Sequence, residues 1–139
     1  MTATIEYTGR LRCVLTHALS GVQILTDAPP DNHGKGEAFS PTDLCAASLA
    51  ACMLTVMGIR VRERGISIDG ARAEVTKVMA ADPRRIARVE IRIFMPSHPY
   101  SAADKALFEH IAHTCPVALS LHPDIEQSVV FVWQDSDDT

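Results

Sequence analysis

Over the first sixteen residues apolar and polar side chains alternate almost without a break. Ile5, Tyr7, Gly9, Leu11, Cys13 and Leu15 fall on one side, and Thr4, Glu6, Thr8, Arg10, Arg12 and Thr16 on the other. A period of two belongs to a strand with one covered face, so the spacing predicts a long first strand with Cys13 turned into the core. After Ser20 and Gly21 a second short strand, Val22 to Thr26, pairs back, and the Pro- and Gly-rich stretch from Ala28 to Phe39 reads as a loop.

The pattern then changes. From Leu44 to Ile59 no side chain carries a charge, and Ala and Ser are frequent. Ser40 is a natural N-cap, Pro41 suits the first helical position, and Asp43 stands three residues after the cap, where an acid reaches back to the cap amide and meets the helix dipole. A helix from there to about Arg64, stopped by Gly65, is predicted. With sixteen uncharged residues on every side it should be buried all round, which calls for a partner subunit over part of it. The uncharged run is shorter than the roughly 20 apolar residues of a membrane span, so a core helix is the expectation and no membrane is implied.

Three more strands are predicted: Ala71 to Met79, Ile86 to Phe94 and Ser128 to Trp133. The middle one alternates cleanly, whereas Val129 to Trp133 is continuously apolar, the signature of a strand covered on both faces. Asp82-Pro83 reads as a turn. Ser101 caps a helix running to about His113, and Pro116 opens a short one ending near His122-Pro123.

Composition adds bounds. The chain has 139 residues, 47% of them hydrophobic, enough for one compact α+β domain over residues 1–139 with a real core. The formal net charge is −4, and the acidic residues Asp135, Asp137 and Asp138 gather in a tail, residues 134–139, expected to be mobile. The arginines do not form one stripe, so nucleic acid is not an expected partner. No basic start followed by an apolar run marks a signal peptide, and a cytoplasmic location with reduced thiols is the expectation. Four cysteines without a CxxC pair exclude a zinc ribbon and argue against a structural disulfide framework.

The cysteines carry the chemistry. Cys13 and Cys45 sit in apolar stripes and read as small core hydrophobes. Cys45 and Cys52 share a helix face, yet seven residues of rise separate them by about 10 Å, too far for a bond. Cys115 stands before Pro116, where unpaired helix amides favour a thiolate, so local electrostatics make it the more acidic thiol. For Cys52 and Cys115 a buried, inert thiol and a reactive one both fit the local sequence.

The segment Ser40-Pro41-Thr42-Asp43-Leu44 leading into Ala46-Ala47-Ser48-Leu49-Ala50-Ala51-Cys52, followed by Cys115-Pro116-Val117, resembles the OsmC/Ohr family of osmotically inducible and organic hydroperoxide resistance proteins. The likeness spans nearly the whole chain. It implies an OsmC-like fold, with antiparallel sheets around a long buried central helix, assembled as an intertwined homodimer with the site at the interface. It also implies a thiol peroxidase that reduces organic hydroperoxides without a bound cofactor or metal and is regenerated by a dithiol reductant such as a lipoylated protein. By that resemblance Cys52 is the peroxidatic thiol and Cys115 the resolving one, reversing the local electrostatic order. Arg10, in Thr8-Gly9-Arg10, matches best the family arginine that activates the thiolate, with Arg12 in reserve. The family glutamate after the helix-opening proline is replaced by Thr42, and Asp43, one residue on, points about 100° away round a helix. That departure places the chain nearer the OsmC branch.

Two other readings bear on the site. Glu109, His110, His113 and Cys115 lie at a spacing that could ligate a metal, but helix histidines at a solvent face are the ordinary reading and no metal is expected. A member of the same fold could also bind small molecules or sense redox state without turnover. On the peroxidase reading Phe39, Met53, Leu54 and Met57 would line an apolar pocket for the hydroperoxide.

Overall fold

A computed structural model describes residues 1–134; the acidic tail expected to be mobile lies, beyond Gln134, outside the described residues. By its internal contacts the chain divides into two compact units, Met1–Cys45 and Ala46–Thr139. The long helix, α1, Pro41–Arg62, starts in the first and continues through the second.

The first unit is an antiparallel meander of β1, Ala3–Gly9, β2, Arg12–His17, and β3, Gln23–Asp27. The single long strand read from the alternation is therefore two, with the chain reversing at Arg10 and Leu11. The period of two survives the turn because the register pairs Ile5 with Leu15 and Tyr7 with Cys13, so odd residues face odd residues and both strands present the same parity on one face. Arg10 and Leu11 both take left-handed backbone, φ 56 and 64°, a conformation that L side chains visit at a cost and that Asn-Gly turns normally supply. No such dipeptide marks the reversal in the sequence. Cys13 is not turned into a core: it is half-buried on a face whose neighbours Ile5 and Tyr7 are 60% and 62% exposed.

The second unit holds the core. Its sheet is β4, Arg72–Ala80, paired antiparallel with β5, Arg85–Phe94, through the turn at Asp82-Pro83; β6, Glu126–Val132, lies on the other side of β5. β5 and β6 run parallel, a departure from the all-antiparallel expectation. The connection between them contains α2, Ala102–Thr114, and α3, Pro116–Ser120, and a crossover of that length lets a strand return in the same direction. Val89, Ile91 and Ile93 from the inner face of β5 pack in one cluster with Leu49, Met53 and Met57 of α1 and Phe108 and Ile111 of α2. Each such side chain stabilises the unit by roughly 1.5–3 kcal/mol. The last strand is not covered on both faces, since Val130 is exposed.

Within this one chain α1 is not buried all round, as the expectation of a covering partner subunit has it. Ala46, Leu49, Ala50, Met53, Met57 and Val61 form a buried stripe, while Ala51, Thr55 and Ile59, spaced four apart, are exposed. At 22 residues, longer than its uncharged run, α1 is long and apolar enough to cross a membrane by length and composition, yet its buried stripe is protein core. α2 begins with a complete capping box, Ser101 and Asp104 each accepting the other's backbone amide, and Arg64 pairs with Asp104 at 2.8 Å.

Candidate functional site

Cys52 lies on α1 one position from the fully buried Met53, and is itself half-buried. Cys115 occupies the position where α2 ends and α3 begins, with extended backbone, φ −65 and ψ 153°. Pro116 follows because a proline with no amide hydrogen costs nothing at a first helical position. The Cys115 side chain is only 1% exposed and belongs to the same core cluster as Met53 and Phe108, which Cys52 borders. The fold thus brings the two thiols together: Cys52 packs against the cluster that holds Cys115 and makes that thiol harder to ionise. Both are free thiols.

Ionisation at Cys115 departs from the local expectation. Burial pushes this thiol up, the largest effect, and its Cys52 neighbour pushes it the same way, whereas the backbone amides of Ala118 and Val117 favour the thiolate. The sulfur makes no side-chain cap hydrogen bond. Helix-end electrostatics, which make Cys115 the more acidic thiol when read from the sequence, are outweighed by desolvation. A negative charge on Cys52 makes a second one on Cys115 harder still.

The arginines belong to the first unit. Arg10 sits at the tip of the β1–β2 turn, exposed and strained, and makes no hydrogen bond or ion pair among the described residues. Arg12, the reserve candidate, is committed elsewhere. Its Nε and Nη2 donate to the two carboxylate oxygens of Asp27 at 2.7 and 2.8 Å, and Nη2 reaches Glu37 at 3.1 Å. Asp27 is 3% exposed, its second oxygen also accepts the Glu37 amide at 3.2 Å, and the Arg12 guanidinium holds its carboxyl below the usual carboxylate range. Thr8, Gly9, Arg10, Arg12, Asp27 and Lys35 line a polar pocket of about 190 Å³. The sequence reading missed Asp27, Lys35 and Glu37; an acid closing the apolar run Val22 to Thr26 was the available signal, since a carboxylate at that depth needs a cation.

Ser40 and Asp43 form the reciprocal cap expected of them: the Ser40 amide donates to the Asp43 carboxylate at 3.0 Å, and the Asp43 amide to the Ser40 hydroxyl at 3.0 Å. The Thr42 hydroxyl lies 3.2 Å from that of Ser40. Met53 and Met57 are fully buried in the core, whereas Leu54 is half-buried and Phe39 exposed. Among the described residues no group of three or more His, Cys, Asp or Glu side chains is placed to hold a metal ion.

Comparison with known proteins gives a consistent picture. Residues 34–129 match the model of the OsmC-like protein family. A crystal structure from Psychrobacter arcticus 273-4, of a protein named for osmotic stress induction and detoxification response, is 52% identical over 95% of this chain and 96% of its own, with a TM-score of 0.91. At the level of fold alone the chain resembles an organic hydroperoxide resistance protein OsmC from Legionella pneumophila, described as a predicted redox protein, at 18% identity over 94% and 96% of the two chains and a TM-score of 0.71. It likewise resembles the organic hydroperoxide resistance protein OhrB of Bacillus subtilis, at 19% identity over 95% and 98% and a TM-score of 0.68. No curated protein matches the chain.

Proposed function

The chain belongs to the family of OsmC-like proteins, and from that premise we propose that it is a cysteine-based peroxidase reducing organic hydroperoxides, with Cys52 and Cys115 as its redox pair. The observation that carries the reading is the pairing itself: a half-exposed thiol on the central helix in contact with a fully buried one that resists ionisation.

The division of labour follows from that asymmetry. The Cys52 thiolate attacks the outer peroxide oxygen, the O–O bond breaks, and the alkoxide leaves with a proton as the alcohol, so Cys52 becomes a sulfenic acid. Cys115, kept as a thiol by burial, then attacks that sulfur. Its proton goes with the departing hydroxide as water and a disulfide closes. An external dithiol returns both cysteines to thiols and leaves as its own disulfide. A cation near the attacking sulfur lowers its pKa and stabilises charge on the leaving oxygen. Arg10 suits that role better than Arg12, whose guanidinium is spent on Asp27 and Glu37. We assign the protein a homodimeric state, supported by the exposed Ile5, Tyr7 and Ile24 on one face of the first unit's sheet and by the exposed Ala51, Thr55 and Ile59 of α1.

The test is direct. Reduced protein receives one equivalent of an organic hydroperoxide, and its disulfides are mapped by peptide mass spectrometry. A Cys52–Cys115 link with Cys13 and Cys45 free is expected. Over-oxidised Cys115 beside an untouched Cys52 would reverse the roles, and oxidation without turnover in the presence of a dithiol would make the protein a redox sensor instead.

A further inference from the structure

We propose that Gln127 is a positioning residue for Cys115: from β6 it holds the Ala118–Leu119 peptide and so keeps α3 wound and the Cys115 sulfur beside Cys52. The proposal rests on reading those thiols as a redox pair.

A helix of five residues does not persist unaided, because the first turn fixes several residues for a single hydrogen bond. Besides packing Val117, Ala118 and Leu121 onto the core, α3 has few hydrogen bonds of its own. The Leu119 amide donates to the Cys115 carbonyl at 3.1 Å, the Leu121 amide to the Val117 carbonyl at 3.2 Å, and the Ser120 hydroxyl to the Pro116 carbonyl at 2.7 Å. Helix ends leave their last carbonyls without a partner, and in a helix this short the Ala118 carbonyl is one of them. Ala118 is buried, where an unpaired carbonyl is costly. Gln127 Nε2 donates to it at 3.0 Å.

Three features make this contact more than a filled vacancy. Gln127 is anchored on β6 opposite the buried Val89, with Val129 and Phe131 following on the same inner face opposite Ile91 and Ile93. A polar side chain at the head of that apolar row needs a reason, and the Ala118 carbonyl supplies one. The peptide it grips is also the one whose N–H holds the Cys115 carbonyl, so the two hydrogen bonds share one amide and polarise it in the same sense. Finally, the Ala118 amide is one of the two that act on the Cys115 sulfur. One residue of α3 therefore receives Gln127 on its carbonyl while its amide favours the Cys115 thiolate.

The readout is residue-resolved alkylation of the reduced protein. In Gln127→Met, of similar length but unable to donate, Cys115 should be alkylated about tenfold faster or more, with Cys13 and Cys45 unchanged. After one equivalent of hydroperoxide the variant should form sulfenic acid on Cys52 at the wild-type rate but close the disulfide at least about tenfold more slowly. Should Gln127→Met not fold, Gln127→Glu takes its place, since an ionised carboxylate accepts and does not donate. Unchanged Cys115 alkylation, or an equal rise at all the cysteines, overturns the positioning role. Because alkylation needs no peroxide, a wild type that forms no disulfide would sink the peroxidase reading while the Gln127 result still stands on its own.

Discussion

Two sheets of three strands each, in one chain, meet different fates. In the second unit Val89, Ile91 and Ile93 are almost completely removed from solvent by α1 and α2, and the sheet has its own core. In the first, Ile5, Tyr7, Ile24 and Leu25 remain substantially exposed, and the deepest side chain on the sheet is a carboxylate, Asp27, clamped by Arg12. The contrast shows that alternating strands do not guarantee a core; a helix must lie across them, and only one of these sheets packs against helices within its own unit. Chemistry divides along the same line, with the paired thiols in the unit that has a core and the basic pocket in the one without.

Cys52→Ser should abolish dithiol-dependent peroxide consumption, measured against the uncatalysed background; retained turnover would move the attacking sulfur elsewhere. Next, Met53→Ala in the second unit should cost about 2–5 kcal/mol by chemical denaturation, as loss of a fully buried side chain does. Tyr7→Ser in the first should cost little in that assay but weaken self-association, seen as a shift toward monomer in sedimentation; an unshifted profile would remove this face from the interface. Arg10→Ala should slow peroxide consumption by roughly tenfold or more at unchanged melting temperature. Arg12→Ala should do the reverse, lowering the melting temperature by stranding Asp27 while sparing the chemical step.

The smallest effect is a pH slope. Since Cys115 holds its proton more tightly when folded than when unfolded, the unfolded chain loses that proton first as pH rises past the usual thiol value of about 8.5. Stability of the reduced protein should therefore decline into the alkaline range, and Cys115→Ala should flatten that decline.

Much of the fold was legible because its signals are local. Ser40 with Asp43 announced the start of α1, Ser101 announced that of α2, and the clean alternation of Ile86 to Phe94 marked β5, whose bounds differ from the reading by one residue. The Arg10–Leu11 reversal stayed hidden because a register pairing odd with odd leaves the alternation intact across the turn. The parallel pairing of β6 was hidden because direction depends on where the intervening helices deliver the chain. At the site, Cys52 and Cys115 stood out from their settings and from the family likeness, but Gln127 gave no sign beyond a polar residue in an apolar strand.

The sequence alone determined where the two longer helices begin, which cysteines merit suspicion, and that one helix carries far more apolar surface than its own turns can use. Only the tertiary structure decided that burial pushes the Cys115 thiol up, that Arg12 is bound to Asp27, and that Gln127 reaches the Ala118 carbonyl. Capping and periodicity depend on residues a few positions apart, whereas desolvation and side-chain pairing depend on how densely distant segments crowd one atom, a quantity that exists only once the chain has folded.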